Sequence, residues 1–192
     1  MSGTNREEIS KKLNSLTITN SERGAISNAS AIPENTGLNV TTNYTLTFLP
    51  KNPLSKGAIL KIKIPEEITI VLATDVNCPT TSLTYIEPSL VCVYEPANRI
   101  VTVTKGFEIS ATYPQSLISF KINGLVNPKT ALTTQSFTIE TKDSAGISID
   151  YIGTGITYTK SCNSPCLTCE GDLSKCTSCV TASGFPLLYL NT

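Results

Sequence analysis

The feature that most limits this chain is a two-residue alternation of apolar and polar side chains, recurring from Leu16 to about Thr159. In "NYTLTF" Tyr44, Leu46 and Phe48 share a face, and in "ILKIKI" Leu60, Ile62 and Ile64 oppose Lys61 and Lys63. "RIVTVTK" sets Val101 and Val103 against Thr102 and Thr104, "LISFKIN" aligns Ile118, Phe120 and Ile122, and "SFTIET" aligns Phe137 and Ile139. "LTIT" opens the series; "ISIDYI" and "GITYT" close it. Successive side chains of a strand point to opposite faces, so this period gives each strand one dry and one wet face, the pattern of antiparallel sheets. Turn signals separate the runs: "PKNPLSKG", "PEE", "EPAN", "YPQS", "NGLVNPKT", "DSAG" and "GTG". Prolines fall between the runs, as a hydrogen-bonded ladder requires. The pattern predicts a mainly β chain, with roughly eight to ten short strands in an antiparallel β-sandwich, immunoglobulin-like in the broad sense, over residues 16–159.

Composition narrows the chemistry. Lys plus Arg and Asp plus Glu each total 15, leaving no net charge and no basic face for nucleic acid. Histidine is absent, which removes every Ser-His-Asp or Cys-His mechanism within the chain and every His-ligated metal site. No apolar run reaches the length of a membrane span. Residues 1–15 stand apart. Thr4 and Glu7 fit a capping box, and Ile9, Leu13 and Leu16 share a helical face, so this part reads as a short helix or a polar tail. It lacks the apolar stretch of a secretory signal, which leaves a cytosolic protein or a piece of a larger secreted one.

After Thr159 the alternation stops, and residues 160–192 read as a loop-like segment beyond a boundary near Lys160. Five of the seven cysteines fall between Cys162 and Cys179, spaced C-x3-C-x2-C-x6-C-x2-C. Cys166, Cys169, Cys176 and Cys179 form two C-x2-C pairs that a zinc ion could use, but the six-residue gap is short and Cys162 is left without a role. A redox role lacks its βαβ setting. Disulfides suit the segment better, because so few apolar side chains cannot offset its chain entropy without covalent staples. Cys78 and Cys92 flank the polar connection "PTTSLTYIEPSLV". A bridge between them would close a loop of about 15 residues and stabilise by ~3 kcal/mol in the chain-entropy model. Two buried free thiols are the alternative.

"CNSPCLTCEGDLSKCTSCVTASGFPLLYL" resembles the furin-like, growth-factor-receptor-type cysteine-rich repeat, above all the versions found in large surface proteins of ciliated protozoa. Pro165 before the second cysteine, Thr168 before the third, the "CTSC" step from Cys176 to Cys179 and the "YL" at Tyr189-Leu190 carry the resemblance over residues 162–190. It implies a first-to-third and second-to-fourth pairing, Cys162–Cys169 and Cys166–Cys176, with Cys179 unpaired because its mate would lie further along the chain. The phrases "YTLTFLPKNPLSKGAILKIKIP", "VTVTKGF" and "FTIETKDSAGISIDY" resemble the domain that often precedes such repeats. That resemblance brings no catalytic residue with it.

Three N-x-S/T sequons, at Asn28, Asn39 and Asn43, crowd near one end of the sandwich and are candidate N-glycosylation sites or bare turn residues. Glycans there would shield a strand edge. No nucleotide loop, G-x-S-x-G elbow or calcium loop is present, and the acids Glu66, Glu67, Asp75, Asp143 and Asp150 read as scattered among turns. No metal or other cofactor is expected. The combined expectation is a non-enzymatic extracellular or cell-surface structural or adhesion module, a fragment of a larger surface or filament-forming glycoprotein. Its partners would be proteins or further copies of itself, met through the sandwich. A ligand-recognition receptor ectodomain and a carbohydrate-binding sandwich are the alternatives. The absence of Trp weighs against the sugar reading, and the lack of paired acids against a hydrolase.

Overall fold

The computed structural model describes residues 23–71, 80–163, 165–179 and 187–188. The expected helix or tail at residues 1–15, "LTIT", Asp75, Cys78 and Tyr189-Leu190 lie outside them. The described chain is all-β. Its strands are β1 Gly24–Ala25, β2 Ser27–Pro33, β3 Thr41–Leu49, β4 Leu54–Ser55, β5 Ile59–Lys63, β6 Thr69–Ile70, β7 Thr80–Thr84 and β8 Val91–Glu95. They continue as β9 Ile100–Thr104, β10 Thr112–Tyr113, β11 Ile118–Val126, β12 Thr138–Lys142, β13 Ser148–Ile152, β14 Cys166–Cys169, β15 Cys176–Cys179 and β16 Leu187–Leu188. No helix among the described residues is long and apolar enough to cross a membrane.

Two sheets face each other. One runs β1-β13-β12-β5-β9-β8; the other runs β2-β3-β11-β6, with β7 also pairing β11. β1 lies parallel to β13, whereas the other pairings are antiparallel. The chain crosses between sheets at buried Ile26, whose amide donates to the Tyr151 carbonyl at 3.3 Å. Tyr44, Leu46 and Phe48 of β3, Leu60 and Ile62 of β5, Ile64 just beyond it, Val101 and Val103 of β9, and Ile118, Phe120 and Ile122 of β11 all point into one shared core. Each such side chain contributes about 1.5–3 kcal/mol by leaving water. The alternation expected from the sequence is therefore the alternation of burial.

Six features depart from the expected layout. The first half of "NGLVNPKT", read as a turn, continues β11 as far as Val126. The span between Cys78 and Cys92, read as a polar connection, contains β7, which pairs β11 from Thr80 to Thr84 although Leu83 and Thr84 stay exposed. Pro33 ends β2 rather than lying between strands; β2 is a sheet edge, where a missing amide breaks no ladder. Asp150 is no turn residue, for it sits in β13 with 0% exposure, facing the interior. Its Oδ1 accepts the Asn52 side-chain amide at 2.6 Å and its Oδ2 the Asn52 backbone amide at 3.1 Å, which tethers the loop after β3. "GITYT" buries Ile156 and Tyr158 but forms no strand. Ser136 and Thr134 hydroxyls take the amides of Ile156 and Tyr158, each at 3.0 Å, where a ladder would use carbonyls. Finally, the segment after Thr159 is a three-stranded sheet, β14-β15-β16, and not a loop.

A buried polar network closes one end of the sandwich. Tyr44 donates its hydroxyl to Asn127 Oδ1 at 2.6 Å, and Asn127 Nδ2 donates to the Asn35 and Gly37 carbonyls, both at 2.7 Å. Tyr158 donates to the Thr36 carbonyl at 2.8 Å. Burial raises the Tyr44 hydroxyl well above the ordinary tyrosine range, with the Tyr158 phenol adding to the effect. Near the same end Arg99 reaches the Ile64 carbonyl at 3.2 Å and the Pro65 carbonyl at 2.7 Å, and also donates to the Ile68 carbonyl, beside the Thr69–Val126 pair. One side chain thereby fastens the "PEE" turn.

Candidate interaction surfaces and the cysteine-rich module

The module of residues 162–179 has almost no apolar interior. Its buried residues, among those described, are Cys166, Cys169 and Ser178. Cys162 is bonded to Cys169 with Cα atoms 5.8 Å apart, and Cys166 to Cys176 at 5.0 Å. The cystines occupy the place of a core. Local bonds complete it: Asp172 Oδ1 accepts the Ser174 amide at 2.8 Å, and Thr168 shares its hydroxyl with Thr177 at 2.7 Å and Ser178 at 2.6 Å. Cys179 is free and half-buried on β15, opposite Cys166 in register. Cys92 is buried and disulfide-bonded, whereas Cys78 lies outside the described residues. No cluster of three or more metal-ligating side chains occurs among the described residues.

Residues 127–130 join the module to the sandwich. On one side the Asn127 amide donates to the Val40 carbonyl and the Asn39 amide to the Pro128 carbonyl, both at 3.0 Å. On the other, the Gly171 amide donates to the Lys129 carbonyl at 3.0 Å, and Thr130 forms an antiparallel bridge with Glu170. The module is thus carried on the sandwich by main-chain bonds. Two clefts flank this junction. One, of about 270 Å³, has apolar walls from Leu132 and Leu167; the other, of about 390 Å³, is polar and lined by Asn39, Lys129, Glu170, Gly171, Lys175 and Thr177.

The sequons differ in setting. Asn28 is exposed on the edge strand β2, at φ 48° inside a bulge between Ser27 and Ser30. Asn39 is exposed at φ 52° before β3. Asn43 lies within β3, and its Nδ2 donates to Glu34 Oε2 at 2.8 Å. Lys121 holds the other oxygen of Glu34 at 2.5 Å, and these two bonds keep the Glu34 carboxyl below its ordinary value.

A third cleft, of about 310 Å³ and mostly apolar, is lined by Tyr85, Ile86, Glu87, Pro88, Ile109, Ser110 and Tyr113. Tyr85 is 59% exposed and Ile109 81% exposed. Tyr85 holds φ 51°, a left-handed conformation that bulky side chains rarely adopt. Beneath them Glu87 organises the loops. Its Oε1 accepts the amides of Glu108 at 3.0 Å and Ile109 at 2.8 Å as well as the Tyr113 hydroxyl, while its buried Oε2 has no hydrogen-bond partner among the described residues. Burial raises this carboxyl, but the hydroxyl and the two amides outweigh it and hold it below its ordinary value. Tyr113 also packs edge-on against Phe107 at 5.1 Å. The sequence reading missed this cleft, because "YIEPS" and "YPQS" look like ordinary turns and only the fold brings them together.

The remaining candidates do not assemble a site. Glu66 and Glu67 are exposed in their turn, and Glu67 accepts the Gln135 amide at 3.1 Å. Asp143 closes the β12–β13 hairpin by accepting the amides of Ala145 at 2.9 Å and Ile147 at 2.8 Å. The Tyr151 ring is covered by the Arg23 guanidinium at 5.0 Å.

No family model matches the chain, and no curated protein matches it. Three solved structures are similar to it. A type II cohesin domain from the cellulosome of Acetivibrio cellulolyticus is 14% identical, covering 69% of this chain and 91% of that one, with a TM-score of 0.33. BslA, a bacterial hydrophobin, is 15% identical over 67% of this chain and 98% of its own, with a TM-score of 0.34. The second type II cohesin module of the adaptor ScaA scaffoldin from Acetivibrio cellulolyticus is 11% identical over 72% of this chain and 94% of its own, with a TM-score of 0.37.

Proposed function

We propose that the chain is a non-enzymatic extracellular structural or adhesion module, part of a larger surface or filament-forming glycoprotein built with furin-like repeats. The observation that carries this reading is the cleft rimmed by Tyr85 and Ile109. Two large apolar side chains stand in water on loops that Glu87 and Tyr113 hold fixed, and one of them adopts a strained backbone. Strain and exposed apolar surface held rigidly together suit a surface that meets another protein. The cystine-filled module supports the extracellular setting, since such staples persist in oxidising compartments.

The test uses beads coated with the chain, with a second copy as the partner. Wild-type beads should cluster in suspension, and beads carrying Tyr85→Ser with Ile109→Ser should stay dispersed. Wild-type beads that never cluster, or clusters indifferent to the double substitution, would remove the adhesive reading of this cleft.

A further inference from the structure

We propose that Asn39 carries an N-linked glycan whose first N-acetylglucosamine occupies the polar cleft between the sandwich and the cysteine-rich module and holds the module in place. The inference rests on the extracellular reading, because the modification belongs to the secretory route. Its basis is placement. Asn39 begins the sequon Asn39-Val40-Thr41, is exposed, and lies in a left-handed turn conformation where its side chain has no hydrogen bond among those found in the described residues. Asn39 and the module's Glu170-Gly171 step bond to opposite sides of residues 128–130. A sugar attached at Asn39 therefore needs to reach across the intervening segment, two strand spacings or about 9.6 Å, to meet the module. The cleft that spans this distance offers the exposed polar groups of Lys129, Glu170, Lys175 and Thr177, which suit hydroxyl and acetamido groups. Its volume of about 390 Å³ admits one pyranose ring with its acetamido substituent.

The other sequons differ in what they could do. Asn43 already donates its amide to Glu34, and Asn28 sits in a bulge of β2 away from the residues lining this cleft. In the step itself, Asn39 Nδ2 attacks C1 of the sugar of a polyprenyl-diphosphate-linked oligosaccharide on an oligosaccharyltransferase. The N–C1 bond forms, the C1–O bond to the diphosphate breaks, Nδ2 loses one proton, and the lipid diphosphate leaves.

The experiment secretes the full chain from a eukaryotic host behind a foreign signal peptide, reads site occupancy by glycopeptide mass spectrometry, and follows amide exchange. Four forms are compared: high-mannose protein, protein trimmed to one N-acetylglucosamine, Asn39→Gln and Thr41→Ala. Asn39 should be occupied, and residues 166–179 should be equally protected in the first two forms. Both sequon variants should exchange about threefold faster there, with β3 and β11 unchanged. Thr41→Ala keeps the asparagine and loses only the sugar. An unmodified Asn39, or equal exchange in all four forms, would overturn the proposal. Neither outcome depends on whether coated beads cluster, so its failure is separable from that of the adhesive reading.

Discussion

At the scale of single residues, the sandwich depends on a few buried polar groups that are satisfied from several sides. Asn127 accepts one hydrogen bond from Tyr44 and gives two to the chain at Asn35 and Gly37. Asn127→Ala would strand a buried hydroxyl and two carbonyls, and urea unfolding should show a loss of about 3 kcal/mol. Gly24 is constrained in another way. A Cβ there would lie 1.9 Å from Asp150 Oδ1 and 2.5 Å from Asn52 Nδ2, so Gly24→Ala must break the pair that tethers the loop after β3. It should cost about 2 kcal/mol or more by the same measurement. Titration adds a pH window. Glu34 and Asp172 sit below their ordinary values of 4.5 and 3.8, held by bonds from Lys121 and Asn43 and from Ser174 respectively. A lowered folded value means that stability is present above the unfolded value and is lost as pH falls through the folded one. Tyr44 and Tyr158 run the opposite way, because burial favours the neutral phenol; their contribution is whole below the ordinary value of 10 for Tyr44 and fades as pH rises past it. Melting temperature plotted against pH should therefore be flat between about 5 and 9 and fall on both sides. Glu34→Gln should shrink the acid limb, and an unchanged acid limb would sever the link to Lys121.

At the scale of elements, the long strands were legible because one face of each is dry. β3, β5 and β9 bury every second residue in the register that their apolar letters imply, and β11 does so as far as Ile122, before its register shifts ahead of Leu125. β7 was illegible for the complementary reason. Its pattern of burial shows no dry face, and it is a strand only because β11 offers an edge. The hidden face of β13 was illegible too, since a buried Asp150 breaks the rule that charge faces water and is satisfied by Asn52, 98 residues away. The cleft rimmed by Tyr85 and Ile109 needed two distant turns to meet and left no local signature. The cysteine-rich strands were hidden by the absence of apolar letters, their interior being sulfur. That absence makes a prediction about reduction. The sandwich has its own apolar core, and losing the Cys92 disulfide should lower its stability by about 2–4 kcal/mol without unfolding it. Residues 162–179 have the two cystines in place of a core and should lose amide-exchange protection once a thiol reductant opens them. Protection of that segment that survives reduction would mean that hydrogen bonds alone hold β14 against β15.

At the scale of the whole molecule, the question is whether the module is docked or merely linked. Docking passes through Gly171, whose amide reaches the Lys129 carbonyl at 3.0 Å while the residue holds φ 75°. Nothing among the described residues lies within 4 Å of where its Cβ would be, so a side chain at this position meets a conformational objection and no steric one from them. Two substitutions separate the contributions. Gly171→Ala keeps the amide but must hold a left-handed backbone, at about 1 kcal/mol. Gly171→Pro removes the donor as well and fixes φ near −65°, which the docked turn cannot accept. If main-chain docking sets the posture of the module, the alanine variant should retain the wild-type small-angle scattering profile at room temperature. The proline variant should scatter as a more extended particle, with faster amide exchange at residues 129–131 and none of this loss in β3 or β11. A proline variant with the wild-type profile would show that the bonds at Lys129 and Thr130 do not position the module. The posture of the module would then depend on whatever packs around the neighbouring clefts, and the sandwich and the module would swing relative to each other.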